Sequence, residues 1–179
     1  MKKSKPQLTY AEAHNKAVRL YRKTVIFLMW AGIISILATV IGVFRSESGY
    51  GMSLAFNVFI NGLLVNLNMP DYATYLSIFA VSIATGALFA ALGFFAQQGK
   101  KVFLFIGLGL YLADFGAVFF VYGANWSTTY AFTIATHLVI VAALIIAVFE
   151  YYQVLTIERV YRGSDQIKIE EAYGEEKPL

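Results

Sequence analysis

Four stretches of the chain stay apolar long enough to cross a bilayer, and each is bounded by a segment where charge or asparagine returns. The pattern predicts membrane-length helices at about residues 24–44, 71–96, 102–122 and 129–152. A run of about 21 residues at 1.5 Å each reaches about 31 Å, which matches a hydrocarbon core. Lipid gives backbone N–H and C=O groups no partner, so uncharged segments of this length must be helical. The expected fold class is therefore all-α, an integral membrane four-helix bundle. At 59% hydrophobic and 14% charged residues, composition agrees with that class. The mean hydropathy of +0.63 agrees as well.

Small residues recur at helical spacing inside the spans. Ala31, Ser35, Thr39 and Gly42 fall near one face of the first, and Ser82, Gly86, Ala90 and Gly93 near one face of the second. Such stripes let helix backbones approach closely where hydrophobicity cannot drive association. Gly86, Gly93, Gly109 and Gly116 are the expected packing positions, and Gly107 to Gly109 also read as packing glycines.

Between the first two spans, residues 51–68 carry no charge and many large apolar side chains, yet Asn57, Asn61, Asn66 and Asn68 interrupt them. On a helix, Ser53, Asn57, Asn61 and Asn68 form one polar stripe. The expectation is an amphipathic segment on the outer surface or capping the bundle, with Asn57, Asn61 and Asn68 marking it. A re-entrant segment, or a hairpin through Asn61 and Gly62, fits the same pattern. Pro70 and Asp71 then open the second span.

Residues 1–23 hold seven lysines and arginines against one acid, and Thr9 with Glu12 has capping-box spacing, so a helix is expected from Tyr10. Its basic face would meet lipid headgroups, or it is a solvated tail. A cleaved signal peptide is the weaker reading, because the apolar run is too long. Two further basic residues follow the second span and four follow the fourth, against one in the first loop and none in the third. By the positive-inside rule both termini are cytoplasmic, in a bacterial cytoplasmic membrane. Tyr21, Tyr151 and Tyr152 would mark the inner interface, and Tyr72, Tyr122, Trp126 and Tyr130 the outer. The expected organisation is a basic segment (1–23), the bundle (24–153) and a charged tail (154–179) in which Glu170, Glu171, Glu175 and Glu176 gather.

Inside the spans, Asp114 stands about eight residues from the outer end of the third, and His137 lies at a similar depth in the fourth. A carboxyl there costs about 2.5–3.5 kcal/mol to insert, so it should face the bundle interior and find a partner. His137 is the expected partner, Tyr111 one turn away can add a phenol, and Thr133 and Thr136 can join. Either this is a polar clasp that fixes helix register, or it is a proton, cation or ligand site. The clasp is preferred, since one carboxylate and one histidine do not make a pathway. Glu150, at the inner boundary, is expected to snorkel to the surface.

Other chemistry finds little support. The chain has no cysteine, which excludes disulfides and thiolate sites. The net charge of +3 gathers beside the membrane, so anionic lipid and not nucleic acid is the expected partner. Asp114 and His137 are too few for a metal site, His14 lies outside the spans, and no cofactor is expected. No nucleophile is paired with His137 by spacing, although Ser35 or Ser82 facing it stays open.

The run ALGFFAQQGKKVFLFIGLGLYLADFGAVFFVYGANW, with a histidine after it, resembles a loose group of small bacterial membrane proteins. They share a basic turn, a glycine-bearing helix with Leu-Tyr-x-x-Asp, and a histidine in the last span. The matching positions are Lys100, Lys101, Gly107, Leu110, Tyr111, Asp114 and His137. This resemblance covers less than half the chain and implies no activity. The functional expectation is a non-enzymatic accessory or assembly subunit of a larger membrane complex, contacting other subunits or itself. A small homo-oligomeric proton- or ion-coupled transporter using Asp114 and His137 is the alternative.

Overall fold

The computed structural model describes residues 10–44, 54–67, 69–122 and 128–173, with side chains at 42–44, 122, 128–129 and 164–173 outside that description. Five helices form: α1 (Tyr10–Phe44), α2 (Ala55–Val65), α3 (Asp71–Gln97), α4 (Lys101–Tyr122) and α5 (Thr128–Tyr173). Four of them are long and apolar enough to cross a membrane, and α2 is a shorter apolar helix. Leu37, Ile41, Leu76, Phe120, Val139 and Phe149 stand exposed on the outside of the bundle. Ser35, Thr39, Ser82, Asp114, Thr133 and His137 are buried inside it. Apolar outside with polar groups inside is the distribution a bilayer favours.

Helix α1 packs along α3 and α5, α4 packs along the same two, and α1 and α4 face each other across the diagonal. The closest approach is between α1 and α3. A Cβ on Gly32 would strike the Gly86 carbonyl and come within 2.8 Å of Ala90 N. One on Gly93 would lie 2.5 Å from Met29 N. Gly86 and Gly93 thus sit where backbones touch. Gly109 and Gly116 do not: an added Cβ at either meets nothing within 4 Å, and the tight position of α4 is Gly107, against Leu28. Spacing alone cannot say which side of a helix turns inward, and only one side of α4 does. Gly42 and Asn68 lie outside the described side chains or residues, as does the third loop with Trp126.

Helix α1 starts at Tyr10, where the capping-box spacing predicts a helix start, and runs unbroken into the first apolar run with no proline or glycine before Gly32. Helix α5 likewise continues past residue 152 to Tyr173. The α3–α4 turn is tight, with Gly99 at φ 81°, a backbone conformation that glycine adopts without strain. At the level of that turn the Tyr21 hydroxyl donates to the Ala96 carbonyl at 2.6 Å. Beyond it, α1 and α5 continue as an antiparallel pair. Tyr10 stacks on Tyr161 with ring centroids 3.9 Å apart, and His14 Nε2 lies 3.1 Å from Glu158 Oε1. The eleven residues of α1 before Tyr21 carry this stalk about 16 Å past the turn.

Candidate functional site

Helix α2 begins with an N-terminus that its own sequence does not cap. Leu54 is the N-cap residue and makes no side-chain cap bond, so the first backbone N–H groups would be orphaned. They are satisfied by side chains of two other helices. Ser35 Oγ of α1 accepts from Leu54 N at 3.1 Å. Asp114 of α4 accepts from Ala55 N at Oδ2 (3.3 Å) and from Phe56 N at Oδ1 (2.9 Å). A carboxylate at a helix N-terminus meets both the free donors and the positive end of the helix dipole. Asp114 therefore acts as the N-terminal cap of a helix 58 residues away in sequence.

His137 of α5 completes the arrangement. Its Nε2 lies 3.0 Å from Asp114 Oδ2, and its Nδ1 lies 2.8 Å from the Thr133 carbonyl one turn earlier. A carbonyl can only accept, so Nδ1 carries a proton, and the tautomer is fixed by that bond. One proton then remains to be shared between Nε2 and Oδ2. It gives either an imidazolium–carboxylate pair or a neutral imidazole that accepts from a carboxylic acid. The pair sums to zero charge in both arrangements, which suits its nearly complete burial, 4% and 2% exposed. The imidazole lies roughly parallel to the rings of Tyr111 and Phe115, with centroids 5.5 and 5.9 Å away. Tyr111 in turn meets the edge of Phe89.

A second set of bonds fixes the inner side of α2. Asn57, fully buried, donates through Nδ2 to Ser35 Oγ at 3.0 Å and accepts at Oδ1 from Thr85 Oγ1 at 2.7 Å. Asn61 is buried one turn later. Neither of its amide atoms has a hydrogen-bond partner among the described residues, and the Ser82 hydroxyl has none either. On the opposite side Phe56, Phe59 and Leu63 are more than half exposed. The polar stripe of α2 thus points into the protein and its apolar side outward. The first turn of α2 lies level with Ser35, nine residues before the end of α1 and so about 13 Å inside it. What turns the stripe inward is a buried carboxyl that needs donors, together with uncapped amides that need an acceptor.

Of the residues singled out in the sequence, Asp114, His137 and Tyr111 come together. Thr133 joins through its backbone carbonyl, whereas Thr136 Oγ1 bonds back to Phe132 within its own helix. Both His137 nitrogens are occupied, so neither Ser35 nor Ser82 forms a nucleophile–base pair with it. Glu150 does not reach the surface with both oxygens, since its Oε2 is buried without a partner. Sequence reasoning missed Thr85, Phe115 and the α2 amides as members of this site. Thr85 had a signal, being a hydroxyl inside a span, but its partner on α2 could not be read from spacing. No family model, curated protein or solved structure matches this chain.

Proposed function

We propose that the chain is a non-enzymatic accessory or assembly subunit of a larger membrane complex. On this reading it is multi-pass in a bacterial cytoplasmic membrane, with both termini cytoplasmic and anionic lipid at that face. The observation that carries the reading is the α1–α5 stalk. It is held by the Tyr10–Tyr161 stack and the His14–Glu158 contact, and it extends past the bundle as a preformed docking element. The lysine and arginine asymmetry favours this end as the cytoplasmic one. That Asp114 and His137 spend their hydrogen-bonding capacity on α2 and Thr133 favours a structural use of the one intramembrane acid–base pair. Mass spectrometry of material co-purified in mild detergent tests the proposal. A larger partner at fixed stoichiometry is expected, and its amount should fall when Tyr10 and Tyr161 are both changed to alanine. Recovery of the wild type alone, or only as a symmetric oligomer, refutes it.

The alternative, a small homo-oligomeric proton- or ion-coupled transporter, is favoured by one observation. The Asn61 amide and the Ser82 hydroxyl are buried without a hydrogen-bond partner on α2 and α3, two helices that pack against each other. In proteoliposomes, a proton or cation flux that Asp114→Asn abolishes while the fold persists would support transport. A wild type without flux would end that reading.

A further inference from the structure

Where α3 ends, α1 and α3 enclose a groove of about 470 Å³ whose walls include Arg19, Arg22 and Lys23 of α1 and Gln97 of α3. We propose that this groove is a site for the phosphate head of an anionic phospholipid, one per chain. It deepens the anionic-lipid contact proposed above and rests on that reading in placing this end of the bundle at a bilayer interface. It does not depend on the accessory role.

The lining residues of α1, from Val18 through Arg19, Arg22 and Lys23 to Ile26, recur at helical spacing, so they share one face. Along that face the character changes in the order a lipid requires. Ile26 lies toward the apolar bundle, Arg22 and Lys23 directly follow Tyr21, whose hydroxyl meets Ala96, and Arg19 lies one turn further out. The apolar run of α3 ends at this level, at Gln97. A phosphate placed here would sit where the hydrocarbon stops.

Three features select an anion. Among the described residues the ion pairs are His14–Glu158 and His137–Asp114, so Arg19, Arg22 and Lys23 have no carboxylate partner. Among the described residues no aspartate or glutamate lines the groove. At its wall, Gln97 Nε2 is buried without a hydrogen-bond partner. That atom can only donate, and a buried donor left unpaired is destabilising, so the missing partner is an acceptor. Phosphate oxygens supply such acceptors, and arginine's planar fork matches them. The neighbouring stalk groove, lined by Leu155, Glu158, Arg159 and Arg162, differs because it presents a carboxylate.

Native mass spectrometry of the full-length protein in mild detergent reads the site directly, with phosphatidylglycerol, phosphatidylcholine or inorganic phosphate added. One phosphatidylglycerol per chain is expected, bound about tenfold more tightly than phosphatidylcholine. The double change Arg22→Gln with Lys23→Gln should weaken it about tenfold or more, and Gln97→Leu, which leaves every charge in place, about threefold or more. The pair Lys16→Gln with Arg162→Gln removes equal charge outside the groove and should leave binding unchanged. If that control loses as much as the groove variant, the attraction is diffuse; the site is then overturned while anionic-surface contact survives. Equal binding of the two lipids overturns both. Inorganic phosphate that displaces the lipid at equal concentration overturns the lipid as the source. Circular dichroism of each variant confirms that losses are not unfolding.

Discussion

Changing Asp114 to leucine removes the acceptor for two α2 amides and the partner of His137 at one stroke. The side chain keeps much of its volume, so the loss is one of hydrogen bonds and not of packing. Three bonds are broken, from Ala55 N, from Phe56 N and with His137 Nε2. At about 1 kcal/mol for each hydrogen bond inside a membrane protein, the expected destabilisation is about 3 kcal/mol. Asparagine should behave differently. Its carbonyl oxygen can keep the shorter bond from Phe56 N, and its amide can donate to Nε2 of an imidazole whose proton is on Nδ1. Only the 3.3 Å bond from Ala55 N is forfeited. Asp114→Asn is therefore expected to cost about 1 kcal/mol, roughly a third of the leucine effect. Equilibrium unfolding in detergent micelles measures both. Hydrogen exchange at Ala55 and Phe56 localises the change, with the leucine variant faster by about 100-fold and asparagine by about fivefold. Leucine as stable as wild type would refute the capping argument. Asparagine as damaging as leucine would show that charge, not hydrogen bonding, holds α2.

Other consequences follow from the same geometry. Gly86→Val should destabilise by about 2 kcal/mol or more, because its Cβ would meet the Ile36 side chain and lie 2.7 Å from Gly32 O, whereas Gly109→Ala should be neutral or slightly stabilising. Unfolding midpoints of the two proteins, measured side by side, separate these outcomes. Ser35→Ala leaves Leu54 N and Asn57 Nδ2 without their common acceptor and should cost about 2 kcal/mol, read as faster exchange at Leu54. Tyr21→Phe removes the 2.6 Å bond to Ala96 O and should cost about 1 kcal/mol, seen as a lower thermal midpoint with an unchanged helical spectrum.

The spans were legible because helix length and apolarity are one-dimensional properties. The sequence reading placed the second at 71–96 and the third at 102–122, and the helices run Asp71–Gln97 and Lys101–Tyr122. Their outer limits were less legible. Residues 10–23 are too polar to mark a span, and what joins this helical stretch to α5 is a set of contacts between the two helices, Tyr10 with Tyr161 and His14 with Glu158. Residue type also announced that Asp114 had to be buried with a donor, and shared depth put His137 within reach.

Residues 51–68 mark the limit of such reasoning. Their stripe of asparagines was visible, but a stripe has no intrinsic direction: it can face water or the inside of a protein. What turned it inward lies on other helices, in Ser35, Thr85 and Asp114, whose polar groups pair with Asn57 and the first amides of α2. The glycines show the same division. Any of them permits close approach, yet of the described glycines only Gly32, Gly86, Gly93 and Gly107 meet a neighbour, because each helix turns one side inward and the choice of side belongs to the assembled bundle. Sequence alone thus determined how many helices could cross a membrane and which polar residues needed partners. Tertiary structure decided who the partners are, because a buried hydrogen bond depends on where two chains meet in space and not on how far apart they lie in sequence.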